Sequence, residues 1–168
     1  LASAPHRGRE LELHVLAREQ SAVDLIAQLQ RNGMARIEMP FGDTHLAELP
    51  DGPLVLIAAG TGMAQMHSLI EHCRVRGFEH PVHLYWGVRR PEDFYEIEEW
   101  AQWQQLPNLF LHQVVSDQCG WAGRCGLLHE AVCEDIDDLS PVHVYASGSP
   151  NMVYALSLIH ISEPTRRR

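Results

Sequence analysis

Leu54-Val55-Leu56-Ile57-Ala58-Ala59-Gly60-Thr61-Gly62-Met63-Ala64-Gln65-Met66-His67-Ser68 is the stretch that decides the fold. An apolar run ends in Gly-Thr-Gly, and a helical pattern begins at once. Such a run, bounded by turn residues, reads as a strand covered on both faces, as in a parallel sheet. The glycines permit a sharp turn and a close approach of ligand to backbone. The helix that follows points its first amides, and the positive end of its dipole, at that turn. A phosphate or pyrophosphate suits the place. The same pattern also describes an ordinary strand–turn–helix junction. Two familiar phosphate motifs are excluded. The chain has no Lys, so it has no P-loop, and the third glycine of the usual dinucleotide fingerprint falls on Gln65.

Downstream, strand and helix patterns alternate. A helix at about 63–76 is closed by Gly77. Val82 to Trp86 is a second strand. Pro91 suits a helix's first turn, with Glu92 and Asp93 at its positive end, and that helix is expected to run to about Gln105 with Phe94, Ile97, Trp100 and Ala101 on one side. Leu109 to Val115 is a third strand. Leu127, Leu128, Ala131 and Val132 mark a helix after Gly126. Val142 to Ala146 is a fourth strand, and Pro150 opens a last helix. This alternation predicts an α/β fold with a parallel sheet and helices on both faces. Ligands of such sheets bind beyond the carboxyl ends of the strands, at the switch point beside the first one. Those ends carry Gly60-Thr61-Gly62, Gly87-Val88-Arg89-Arg90, Ser116-Asp117 and Ser147-Gly148-Ser149-Pro150. Gly, Ser, Thr and Arg there offer close backbone approach, hydroxyl bonds and anion pairing. A solvated pair for Arg89 and Arg90, and a tight loop with N-cap at 147–150, are the plainer readings of the same residues.

Upstream, Leu11 to Ala17 reads as a strand. Ser21 can cap a helix, with Asp24 bonding back. Val23, Ile26 and Leu29, with Leu25, give that helix an apolar face, and Gly33 stops it. Met34 to Met39 reads as a further strand, and Pro40, Gly42 and Asp43 turn the chain. Pro50, Gly52 and Pro53 mark a domain boundary within 43–53.

Composition narrows the partners. At 45% hydrophobic the 168-residue chain can build a core. A net charge of −9 argues against nucleic acid and anionic membranes as partners. The four cysteines, Cys73, Cys119, Cys125 and Cys133, have no Cys-x-x-Cys spacing and read as thiols in a reducing cytoplasm. The histidines form no metal motif, and no apolar run is long enough to span a membrane. The start at Leu1 without Met, and the change of character after Ser157, read as a fragment that would be inactive alone, with a non-native tail at 158–168.

The chain resembles the ferredoxin–NADP reductase superfamily, in its NAD(P)H–flavin reductase and oxygenase-reductase branch, which includes CDP-6-deoxy-glucoseen reductase-like proteins. The likeness is carried, in family order over about residues 1–157, by Leu1 to Pro5, Ile57 to Ala64, Leu84 to Arg89, Asp93-Phe94-Tyr95, Gly120 to Gly126 and Val144 to Met152. It implies the end of a flavin-binding antiparallel β-barrel at 1–50 and an NAD(P)-binding domain of Rossmann-like type at 53–157, lacking its last strand. The family's Arg-x-Tyr/Phe-Ser flavin signature would end just before Leu1.

By the same likeness, Gly60, Thr61, Gly62, Met63, Arg89, Arg90, Tyr95, Ser147, Gly148, Ser149 and Met152 contact NAD(P)H. Pro5, His14 and Val15 lie on the flavin side, with FAD, FMN or free flavin as the second cofactor. Gln65 replaces a common Pro, and Ser147 stands where many members have Cys, which suggests a hydroxyl rather than a thiol beside the nicotinamide. The implied reaction is hydride transfer from NAD(P)H to flavin and onward to an acceptor: free flavin, an iron–sulfur protein or an oxygenase. No general base is required. A non-catalytic nucleotide-binding module of the same fold is the alternative.

Overall fold

The computed structural model describes residues 1–39 and 45–162. Its centre is the apolar run that ends in Gly-Thr-Gly. β1 (Leu54–Ala59) is buried along nearly its whole length because neighbours pair on both its edges and both its faces are covered. β2 (Val82–Val88) and β5 (His143–Ser147) flank it in parallel, with Ala58 opposite Trp86 on one side and Ser147 on the other. β3 (Leu109–Val115) pairs with β2, and a two-residue strand, β4 (Arg124–Cys125), pairs with β3, giving the order β4-β3-β2-β1-β5. The order reverses between β1 and β5. Loops leaving these neighbours turn to opposite faces and open a crevice between them.

Alternate residues of the strands feed two cores. Leu54, Leu56, Ala58, Leu84 and Trp86 pack against α2 (Met63–Val75) through Met63, Met66, Ile70 and Cys73. Burial pushes the Cys73 thiol up to about 11, so it stays a small apolar side chain. On the other face Val55, Ile57, Tyr85 and Val114 meet Leu128, Ala131 and Val132 of α4 (Leu128–Asp135), with Met152 and Leu156 of α5 (Pro150–Ser162) at the border. The backbone of α5 continues to Ser162, into the segment read as a foreign tail.

Several expectations are corrected. No strand forms at 11–17 or 34–39, because a strand needs a ladder partner. Among the described residues the backbone of the first segment makes only local ties: Ala2 N–H donates to the Glu12 carbonyl at 2.8 Å, Glu12 N–H to Ser3 Oγ at 3.2 Å and Arg18 N–H to the Leu16 carbonyl at 2.9 Å. α1 (Gln20–Asn32) starts one residue before Ser21, with Glu19 at the N-cap and no side-chain cap bond; Asp24 accepts instead from Gln20 Nε2 at 2.9 Å. Gly33 does end it, left-handed at φ 64°. Its expected apolar face is not buried: Val23 is 41% and Leu29 37% exposed. The turn at Pro40, Gly42 and Asp43 lies outside the described residues.

The long helix expected from Pro91 to Gln105 is a single 3-10 turn (Pro91–Asp93), an irregular passage and a short α3 (Trp100–Trp103). Phe94 leaves the helical path at φ −69°, ψ 126°. Phe94 and Tyr95 both lean edge-on against Trp86, with ring centroids 4.9 and 5.0 Å away. Aromatic packing on the buried Trp86 outweighs the local helical preference. Cys119 and Cys125, expected as thiols, are bonded in a disulfide that ties the loop after β3 to β4.

On the α4 face a row of rings crosses the sheet. Phe110, His83, His112 and Tyr85 stack in turn, and His83 Nδ1 lies 3.3 Å from His112 Nε2. Asp135 accepts from Tyr85 and Arg124 and faces His112 at 3.7 Å. Burial depresses both histidines below the usual 6.5, and in His112 its neighbour His83 adds to the effect. The unfolded chain therefore binds protons that the folded one does not, once the pH drops below about 6.5. Stability from this pair is complete above that pH and is lost as the pH falls toward the depressed folded values. Thermal melts between pH 7.5 and 5.5 are expected to show a falling midpoint. The drop should shrink in His83→Phe, which leaves one histidine on the row.

Candidate functional site

The carboxyl ends of the parallel strands meet at one opening. After β1 the chain makes a 3-10 turn, Gly60–Gly62, and runs directly into α2. Gly60 has φ 54°, where L side chains are strained, and a Cβ there would point into open space. Its carbonyl is held by Trp86 Nε1 of β2 at 3.1 Å. A Cβ on Gly62 would overlap the Ser147 carbonyl and stand 3.0 Å from Ser147 Oγ. The turns at 60–62 and 147–149 are thus in backbone contact. Gly148 is similarly wedged between Ala59 and Met152. Gly87 lets Leu128 of α4 approach, since a Cβ would lie 2.5 Å from that side chain.

These contacts wall a cavity of about 650 Å³. Ala59, Gly60 and Thr61 form one end. Gly87, Val88, Arg89 and Ser116 carry it across the tips of β2 and β3. Gly126, Leu128 and Met152 close a side. A bare glycine turn at the head of a 13-residue helix meets the requirement for a pyrophosphate, and the apolar remainder suits flat rings. A dinucleotide therefore fits the residues present. A second cavity, about 320 Å³, adjoins it and shares Leu16, Thr61 and Tyr95; His14, Val15 and His67 line it as well.

Tyr95, with Leu16 and Thr61, forms the wall that the two cavities share. Its hydroxyl lies 2.8 Å from His14 Nδ1, and His14 Nε2 is 3.0 Å from Glu12 Oε1. Burial, and then the Glu12 charge, push the Tyr95 hydroxyl up to about 12, so it stays neutral. Behind this wall His67 of α2 is 1% exposed, with Nδ1 2.9 Å from the Ala2 carbonyl and Nε2 2.9 Å from Glu99. Burial works to raise the Glu99 pKa, but the hydrogen bond and electrostatic pull of His67, with a backbone hydrogen bond, together outweigh it and hold the carboxyl below its usual range.

Of the residues named from sequence, Gly60, Thr61, Arg89, Tyr95 and Met152 line the large cavity, and His14 and Val15 the small one. Gly62, Ser147 and Gly148 shape the turn behind it. The Met63 side chain is fully buried in the core, so only its backbone faces the turn. Arg90, Ser149 and Pro5 line neither cavity. Leu16, Arg18, Phe94, Leu128 and Asn151 join the large cavity without having been singled out. Asn151, Met152 and Ala155 share one face of α5, a helical spacing visible in the sequence.

Residues 56–157 match the family model described as Oxidoreductase NAD-binding domain. The chain belongs to this family. Among curated relatives, the NAD(P)H-flavin reductase of Vibrio harveyi is 34% identical over 165 residues, 92% of this chain and 69% of the relative. The CDP-6-deoxy-L-threo-D-glycero-4-hexulose-3-dehydrase reductase of Yersinia pestis is 37% identical over 160 residues, 92% of this chain and 48% of the relative. Among solved structures, the cytochrome P450 reductase GcoB of Amycolatopsis superposes with a TM-score of 0.65 at 29% identity, over 81% of this chain and 44% of that one. The chain spans about half the length of several curated relatives that it matches. The parallel sheet read from the strand and helix alternation, and the ferredoxin reductase type that the resemblance implies for it, are the fold observed in this member of the NAD-binding family. Among the described residues no helix is long and apolar enough to cross a membrane.

Proposed function

We propose that the chain is the nucleotide-binding portion of an oxidoreductase in which NAD(P)H supplies a hydride to a flavin, and the flavin passes electrons to free flavin, an iron–sulfur protein or an oxygenase. One observation carries this reading: the tips of β1, β2 and β3 and the turn after β5 meet around a single slot beside a bare glycine turn. The relatives support it, being named as NAD(P)H-flavin reductase and as a dehydrase reductase.

In this reading the amides of Gly60, Thr61, Gly62 and Met63 hold the pyrophosphate at the head of α2. Ser147 and Gly148 press on that turn from behind and keep it in place. Arg89 stands toward the adenosine, with Arg90 beside it outside the cavity, and Met152 borders the slot from the α5 side, next to Ser149. Residues 1–50 are the end of a flavin-binding barrel, with Pro5, His14 and Val15 toward the flavin. The exposure of Leu11, Leu13, Val15 and Leu16, each 41–53%, supports a surface built to be covered. The small cavity puts His14 and Val15 beside Thr61, so a flavin there would face the nicotinamide end of the slot. Tyr95, braced by His14, fixes the spacing between the two. Alignment of two rings converts an encounter into an oriented contact, and no side chain needs to move a proton.

Anaerobic addition of NADH or NADPH to the flavin-supplemented protein is expected to bleach the flavin absorbance. Nucleotide binding without bleaching would instead support a non-catalytic module of the same fold.

A further inference from the structure

We infer that the Cys119–Cys125 disulfide is a thiol-exchange site that sets the affinity of the slot for its nucleotide: a dithiol that opens the bond loosens one wall of the slot, and reoxidation restores it. The inference rests on the nucleotide reading above. The bond joins the turn after β3 to β4, and the two cysteines are six residues apart.

The wall begins one residue after Cys125. Gly126, Leu127, Leu128 and His129 all line the large cavity. The Gly126 amide donates to the Val115 carbonyl at 3.0 Å, and Leu128 packs over Gly87 at the tip of β2. What holds the chain just before this wall is slight. β4 has two residues and lies at the sheet edge, with Arg124 opposite Val114 and Cys125 opposite Val115. So short a ladder has little stability of its own. The Arg124 guanidinium is turned away from β3, toward Asp135 at 2.6 Å and Glu134 at 2.5 Å in α4.

The loop closed by the disulfide makes a second contact with the slot. Trp121 Nε1 donates to the Arg124 carbonyl at 3.0 Å, and Gly123 lies under the indole with no room for a Cβ. The indole packs on Phe94, with ring centroids 5.6 Å apart, and Phe94 lines the slot. At its start the loop is anchored by the Asp117 amide, which donates to the Arg89 carbonyl at 2.9 Å. Between that anchor and Gly126 the disulfide is the covalent brace.

The bond is within reach of solvent. Cys119 is exposed and Cys125 half-buried, whereas Cys73 lies in the core. One thiolate of a dithiol attacks Cys119 Sγ, and Cys125 Sγ leaves as a thiolate and takes up a proton. The second thiolate then closes the reagent to its own disulfide and releases Cys119. One S–S bond breaks and one forms, and two electrons and two protons pass from the dithiol to the two cysteines. With the bond open, the loop gains conformational freedom. A nucleotide then binds only the fraction of molecules whose wall is in place, and the apparent affinity falls by that fraction. The Trp121 and Gly126 contacts remain, so the loss is about fivefold. Linkage requires the converse: saturating nucleotide makes the bond about fivefold harder to reduce.

The test uses the whole chain. Thiol titration is expected to find two more thiols after dithiothreitol than before. Calorimetry with NADH should show about fivefold weaker binding to the reduced chain, with recovery after treatment with oxidised glutathione. The double variant Cys119→Ser, Cys125→Ser should match the reduced chain and be indifferent to dithiothreitol. The exchange equilibrium with dithiothreitol, followed by thiol titration, should shift about fivefold toward the protein disulfide under saturating NADH. Equal NADH affinity in the two redox states would overturn the inference while leaving the nucleotide reading intact. So would a chain that gains no thiols on reduction. A reduced chain whose thermal melt shows it unfolded at the assay temperature would make the bond a structural staple and overturn the inference too. Failure of NADH to bind in either state would remove the nucleotide reading, and this inference with it.

Discussion

Gly62→Val is expected to lower nucleotide affinity by about a hundredfold or more, about 2.7 kcal/mol at the least. A Cβ at this position collides with the carbonyl group of Ser147, which is backbone and cannot rotate away. The collision must separate the turn after β1 from the turn after β5. Those are the two turns whose contact shapes the end of the slot proposed for the pyrophosphate. Valine adds two further methyl groups to a space already too small for one carbon. Gly60→Ala is the instructive comparison. That position has φ 54° with open space beyond, so alanine pays strain of about 1–2 kcal/mol but meets no atom of the fold. Calorimetry with NADH, run beside a thermal melt, separates the two. A folded Gly62→Val protein that binds NADH normally would show that the turns do not need each other.

His67→Leu is expected to destabilise the chain by about 3 kcal/mol. The ring is almost fully buried and bridges the Ala2 carbonyl and the Glu99 carboxylate, each 2.9 Å from one of its nitrogens. Leucine fills a similar volume but strands both partners. Glu99 keeps only the exposed end of its carboxylate on Arg7, at 3.1 Å. The neighbouring bond from Ser68 Oγ to the Ser3 carbonyl, 3.0 Å, then carries the junction between the amino-terminal segment and α2. Urea unfolding of the two proteins measures the difference. A change below about 0.5 kcal/mol, the range of ordinary surface substitutions, would show that the bridge is not a structural one.

Both residues sit in the stretch from Leu54 to Ser68, yet they were legible to different degrees. Gly62 could be read in advance. A glycine between a buried strand and a helix is a local event, and its role as a turn follows from backbone sterics. His67 could not. Its partners are 65 and 32 residues away, and nothing in the sequence near any of them signals a bridge. The same divide explains the helix expected after Pro91. Its start was local and real. Its continuation failed because Trp86, on another element, offers Phe94 and Tyr95 a better place than helical spacing does. Asp117 is a third case. The sequence set Ser116 and Asp117 at the end of β3 and two arginines at the end of β2. Only the parallel register of the two strands, Val88 opposite Val115, brings carboxylate and guanidinium together.

What the sequence determined by itself was the periodicity of the nucleotide domain: four apolar strands, the helices that follow the first, third and fourth of them, and glycine or serine at each strand end. Those are consequences of backbone geometry and of burial on two faces, which act over a few residues. The tertiary structure alone decided which tips meet, which charges cancel and which wall divides the two cavities. Contacts of that kind depend on strand order and on distances between residues far apart in the chain, and no local preference encodes them.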